Sequence, residues 1–117
     1  MKINIIMDIL NAEVLAGEDK LHNEVYYACG SDMMSDVLAF SHDQNVLLTG
    51  LTNTQVVRTA EMMDLNCIVF VRGKTPGSDL LDLAIKKDMV VLRTKYRMFD
   101  ACGRLYANGL KGKGLDE

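Results

Sequence analysis

The 117-residue sequence contains one proline, no tryptophan, two histidines and three cysteines. Each scarcity narrows what the chain can do. Cys29, Cys67 and Cys102 form no Cys-x-x-Cys pair, and an odd number cannot be fully paired within one chain. Each lies in an apolar stretch, so three reduced, buried thiols are expected. His22 and His42 sit in polar, turn-like contexts, which argues against a zinc site. No 18-residue apolar run exists, and the start "MKINIIMDILNAEV" lacks the unbroken apolar stretch and cleavage site of a signal peptide. A cytoplasmic protein without a membrane span is expected. The net charge of −3, with Lys and Arg scattered, argues against nucleic acid, since neutralising phosphates needs clustered cations.

What is present is a regular alternation of strands and helices. The segments 24–30, 45–50, 67–73 and 89–94 read as strands, and the last three are nearly continuous apolar runs. Such runs mark strands covered on both faces of a parallel sheet. Each is followed by a helical pattern. Val56, Val57, Ala60 and Met63 share one face, Leu80, Leu81, Ala84 and Ile85 another, and Phe99, Cys102, Leu105 and Tyr106 a third. Ile3, Ile6 or Met7, and Leu10 have helical spacing at the front, and 12–17 reads as a short strand. The alternation predicts a three-layer α/β/α sandwich with a mainly parallel sheet of about five strands, the early strand standing as an antiparallel edge. Residues 1–110 form one domain, and 111–117 form a flexible, glycine-rich tail.

Local chemistry marks the helix starts. Thr52-x-x-Gln55 has the form of a capping box, Thr75-Pro76 that of an N-cap followed by proline, and Thr94 can cap the last helix. Asn108-Gly109 suits a left-handed helix end. Asp32 and Asp36 lie one turn apart with Ser31 and Ser35. They could hold a hard cation, but a cap by Asp32 or Ser35, with Asp36 favouring the helix dipole, is the simpler reading. The eight methionines, including Met33-Met34 and Met62-Met63, are read first as core packing.

Enzyme motifs are incomplete. "VRGKTP" (71–76) ends as a phosphate-binding P-loop ends, yet the glycine such a loop needs at 68 is Ile68. No Gly-x-Ser-x-Gly elbow exists, and Cys102 lies mid-helix on an apolar face. No acid, base and bound electrophile can be assembled, so no catalytic residue, metal or cofactor is expected. What remains is a strand edge. In open parallel sheets ligands settle outside the carboxyl ends of the strands. Those ends supply Ser31, Asp32, Thr49, Thr52, Asn53, Arg72, Gly73, Thr94 and Lys95, and nearby helix N-termini favour an anion.

The stretch 71–105, with Gly73, Pro76, Leu83-Ala84, Thr94, Tyr96 and Phe99, resembles the DRTGG domain, and 10–40 is similar to that family's opening. The sequence departs from the family in carrying Arg72-Gly73-Lys74 where the family has Thr-Gly-Gly. Its Asp-Arg pair, which falls near Thr52-Asn53, is absent. The resemblance implies a divergent stand-alone member similar in fold to the N-terminal domains of HPr kinase and the Mur ligases. It also implies a regulatory, homodimeric module without catalytic activity. The expected function is sensing of a nucleotide or phosphorylated small molecule at the strand edge. The alternative is a module that docks on a partner enzyme without a ligand of its own.

Overall fold

The computed structural model describes residues 1–40 and 45–113, so His42 and residues 114–117 of the expected tail lie outside the described residues. In chain order the elements are α1 (Ile3–Leu10), β1 (Glu13–Ala16), a 3-10 turn (Glu18–Lys20), β2 (Ala28–Gly30), α2 (Met34–Phe40) and β3 (Val46–Thr49). They continue with α3 (Gln55–Met62), β4 (Cys67–Phe70), α4 (Ser78–Lys86), β5 (Val90–Arg93) and α5 (Met98–Ala107). The sheet order is β1-β5-β4-β3-β2, parallel throughout except where β1 runs antiparallel along β5. The five-stranded α/β sandwich and its antiparallel edge therefore match the sequence pattern.

Side-chain alternation divides the core in two. Val46, Leu48, Cys67, Val69, Val71, Val90 and Leu92 meet Ile3, Ile6 and Leu10 of α1 and Ala101 and Leu105 of α5. Leu47, Ile68, Phe70 and Val91 point the other way, onto α2, α3 and α4. Strands β2 to β5 succeed one another across the sheet in one direction. Right-handed crossovers then place all three intervening helices on a single face. The first and last helices cover the opposite face. That division decides which way each loop leaves the carboxyl edge.

Several local expectations give way to longer-range contacts. The strand expected over 24–30 is reduced to β2, because the Asn45 side-chain oxygen takes the Tyr26 and Tyr27 amides at 2.7 and 3.2 Å. Asn53, rather than Thr52, caps α3 by accepting the Gln55 amide at 3.0 Å. α4 begins only at Ser78 behind Gly77, and Thr75 instead accepts a bond from Arg93 at 2.6 Å. Ile85 lies on the exposed side of α4. α5 is rotated from its expected face: Ala101 and Leu105 are buried, while Phe99 and Tyr106 face outward. Gly109 does end α5 in the left-handed region, with φ of 102°. Each methionine pair splits, since Met34 is buried and Met33 and Met62 are exposed. Lys111 gives its carbonyl to the Ala28 amide at 3.0 Å, alongside the outer edge of β2.

All three cysteines are thiols, but only Cys67 is fully buried, with Cys29 and Cys102 half-buried. Burial pushes the Cys67 thiol up to about 12, because a thiolate there would be stripped of water. The folded state thus holds its proton where the unfolded chain, with a thiol near pKa 8.5, has released it. Stability from this residue is complete below about pH 8.5 and is lost as pH rises toward 12. Between pH 9 and 11, urea unfolding should show about 2 kcal/mol more loss in the wild type than in Cys67→Ala. Equal losses in the two proteins would contradict this.

Candidate functional site

The carboxyl ends of β2, β3 and β4 bring three of the expected residues together. Asp32 is not a helix cap. Its Oδ1 accepts the Gly50 amide at 2.6 Å and the Thr49 hydroxyl at 3.2 Å, and its Oδ2 lies 3.6 Å from the Arg72 guanidinium. Ser31 takes over the local turn by accepting the Met33 amide at 3.0 Å. Thr49 is wholly buried and also accepts the Leu51 amide at 3.2 Å. The ion pair is half-exposed on both sides, 45% for Arg72 and 47% for Asp32, and pairs of that kind contribute less than about 1 kcal/mol. Arg72 is therefore held lightly. Its guanidinium lies across Gly50, where a Cβ would stand 2.8 Å from Cζ.

Arg72 and Gly73 occupy a tight turn. Both have positive φ, 62° and 67°, and the Lys74 amide bonds back to the Val71 carbonyl at 3.2 Å, the pattern of a type I′ turn. Gly73 meets that demand without strain, whereas a side chain at Arg72 meets it at a cost. Their amides do not face a phosphate. Arg72 donates to the Tyr96 carbonyl at 2.8 Å and Gly73 to the Thr94 carbonyl at 2.9 Å. This explains why the half P-loop cannot act as one.

The same two bonds close the natural crevice of the sheet. The chain leaves β4 toward one face and β5 toward the other, and a split of that kind is where open sheets bind ligands. Here the 72–73 turn and the 94–96 loop are joined across it. Thr94 is correspondingly structural: 1% exposed, it donates to the Leu10 carbonyl at 2.7 Å and accepts the Tyr96 amide at 3.3 Å. It does not cap α5, and it lies in the wall of the hollow described next. Asn53 is used in its cap, and Thr52 makes no side-chain hydrogen bond among the described residues.

Beyond the joined loops lies a hollow of about 650 Å³, lined by Asn11, Glu13, Arg93, Thr94, Lys95 and Tyr96 among others. Arg93 is paired with Glu13 and donates to Thr75. Lys95 is exposed and has no salt bridge among the described residues. Lys95 was visible as a cation at a strand end, but the hollow was not. It is created when the antiparallel pairing of β1 on β5 sets Glu13 opposite Arg93, a contact of high sequence separation. Gly50 was missed as well, since nothing local announces that an arginine 22 positions later will lie on it.

No group of three or more His, Cys, Asp or Glu able to hold a metal is present among the described residues. No described helix is long and apolar enough to cross a membrane. Cys102 has its thiol raised by burial and then by the neighbouring Cys29, so it stays protonated at neutral pH and is a poor nucleophile.

Fold and strand edge together describe an α/β sandwich domain with charged loops at one end of a mainly parallel sheet. The chain belongs to the DRTGG domain family, whose profile matches residues 5–107. Among solved structures it is similar to the CBS and DRTGG domains of the regulatory region of Clostridium perfringens pyrophosphatase, crystallised in complex with the activator diadenosine tetraphosphate. The TM-score is 0.71 at 18% identity, covering 89% of this chain and 45% of that one, so this chain spans less than half of its length. No match is found among curated proteins.

Proposed function

We propose that this domain is a non-catalytic regulatory module, working as a cytoplasmic homodimer, that senses a nucleotide or phosphorylated small molecule at the carboxyl edge of its sheet. The observation that carries this reading is the hollow beyond β5. Its volume of about 650 Å³ is that of a small-molecule site, and it holds Lys95, without a salt bridge among the described residues, and Arg93 beside it. On the other flank of the joined loops, Arg72 offers guanidinium donors held only loosely by Asp32. Support also comes from the similar pyrophosphatase regulatory region, whose activator is a polyphosphate nucleotide.

Thermal unfolding with AMP, ATP, diadenosine tetraphosphate and inorganic phosphate tests the proposal. A ligand at 100 times its Kd adds about 2.7 kcal/mol, or about 10 °C for a domain of this size. Lys95→Glu should weaken binding more than tenfold. Gly50→Ala should weaken it about fivefold by displacing the Arg72 guanidinium, a flexible group whose movement leaves the fold intact. If none of these anions stabilises the protein, the sensing function is wrong.

A second reading, docking on a partner enzyme without a ligand, is favoured by the exposed apolar side chains of α5. It would be supported by an enzyme that binds stoichiometrically and equally well to the Lys95→Glu protein.

A further inference from the structure

The hollow beyond β5 mixes its charges, and the mixture narrows what it can hold. Its wall carries one carboxylate, Glu13, against two cations, Arg93 and Lys95, so two positive charges less one negative leave a net +1. Glu13 and Arg93 stand opposite each other in the β1–β5 register and form an ion pair. Arg93 also donates to the Thr75 hydroxyl at 2.6 Å, which steadies the support on which the carboxylate rests. The pair engages Oε1 of Glu13. Oε2 has no partner among the described residues, and the side chain is 53% exposed.

The other polar groups of the wall divide cleanly. Thr94 spends its hydroxyl on the Leu10 carbonyl and the Tyr96 amide. Among the described residues, the Asn11 amide and the Lys95 ammonium have no side-chain partner. Asn11 ends α1 with φ of 47°, a conformation asparagine takes more readily than most residues, so backbone geometry accounts for its place there. Glu13 has no such account beyond its pairing with Arg93.

The chemistry of Glu13 separates two kinds of anion. An ionised carboxylate accepts hydrogen bonds and donates none. A phosphate group bonds to cations and repels Glu13, and like charges about 4 Å apart cost about fivefold in affinity even in water. A phosphate monoester carries about −1.5 to −2, which Lys95 with Arg93 can answer. Each further phosphate of a polyphosphate chain adds negative charge to a wall that is already at +1. A hydroxyl supplies the donor that Glu13 Oε2 lacks, as ribose hydroxyls do for the acidic residue of dinucleotide-binding sheets. The aromatic ring of the wall, Tyr96, packs on the core and has Arg104 4.1 Å from its centre, so little of it remains for a base to stack on.

We propose that the hollow takes a phosphate monoester bearing neighbouring hydroxyls, the chemistry shared by pentose phosphates and nucleoside monophosphates. Lys95 binds the phosphate, and Glu13 accepts a hydroxyl and disfavours polyphosphates. The inference rests on the anion-sensing reading and narrows its ligand.

Titration calorimetry on the full chain tests it with AMP, 2′,3′-dideoxy-AMP, ribose 5-phosphate and tripolyphosphate. The wild type should bind AMP at least tenfold more tightly than the dideoxy analogue, and tripolyphosphate no more tightly than AMP. In Glu13→Ala, with circular dichroism unchanged, the hydroxyl preference should fall below threefold and tripolyphosphate affinity should rise at least fivefold. Glu13→Gln, which keeps the shape of the side chain, should raise tripolyphosphate affinity by a similar factor. A merely structural role for Glu13 would weaken all four ligands alike. Ribose 5-phosphate on a par with AMP would place the source among sugar phosphates, and AMP more than tenfold tighter would place it among nucleotides; either upholds the class. Anion binding that ignores the hydroxyls, or wild-type preference for tripolyphosphate, overturns this inference and leaves anion sensing standing. Binding of none of the four overturns both.

Discussion

Replacing Gly17 with alanine is expected to remove about 3 kcal/mol of stability, measured as a fall in the urea midpoint at unchanged m-value. Two effects combine. Gly17 has φ of 84°, a conformation that costs an L-residue about 1–2 kcal/mol. Its added Cβ would also stand 2.9 Å from Val90 Cα and 3.0 Å from the Met89 carbonyl oxygen. These are backbone atoms at the start of β5 and cannot turn aside as a flexible side chain could. Overpacking of this kind adds about 1–3 kcal/mol. The glycine lets the chain leave β1 while pressed against the strand that β1 pairs with. A loss under 1 kcal/mol would show that the turn relaxes, and the close approach would then have no energetic weight.

The second large effect is at Thr94. Thr94→Val keeps shape and burial but removes the hydroxyl that joins the Leu10 carbonyl and the Tyr96 amide. The Leu10 carbonyl belongs to the last turn of α1, where helix carbonyls have no partner within the helix. A residue 84 positions away supplies one. Leaving both backbone groups buried and unmatched should cost about 2–3 kcal/mol, and Thr94→Ser should recover most of it. Anion affinity at Lys95, measured at a temperature where the Thr94→Val variant is folded, should change less than threefold. A stable Thr94→Val protein that had lost its ligand would show instead that the hydroxyl serves the hollow it lines and not the framework.

What the sequence made legible follows the range of the interactions involved. The runs at 45–50, 67–73 and 89–94 announced buried parallel strands because both faces of the sheet demand apolar side chains there. The antiparallel edge was expected of the short early strand, whereas the order of the strands across the sheet emerged only in the fold. Caps were less legible. Thr52, Thr75 and Thr94 all have the right side chain at a helix start, but Asn53, Arg93 and the Leu10 carbonyl compete for those positions. Only the assembled fold decides which bond forms. Asp32 shows the same limit: read locally it is a cap, and in three dimensions it ties the end of β2 to Gly50, just past the end of β3. α5 was misread for a related reason. Its apolar residues cover so much of the helix that periodicity could not say which side would meet the sheet.

The joined loops at Arg72-Gly73 and Thr94–Tyr96 have one more consequence. Residues 94–96 cannot move away from residues 72–73 without breaking two short backbone hydrogen bonds. Lys95 sits in the middle of one partner, and Arg72 is the first residue of the other. Movement of the 94–96 backbone therefore carries the backbone of the 72–73 turn with it, while the Arg72 guanidinium keeps its own freedom. Linkage makes such influence mutual: whatever occupancy of one flank does to affinity at the other, the other returns in equal measure. A seam that denies the domain an ordinary crevice gives its two charged flanks a common hinge.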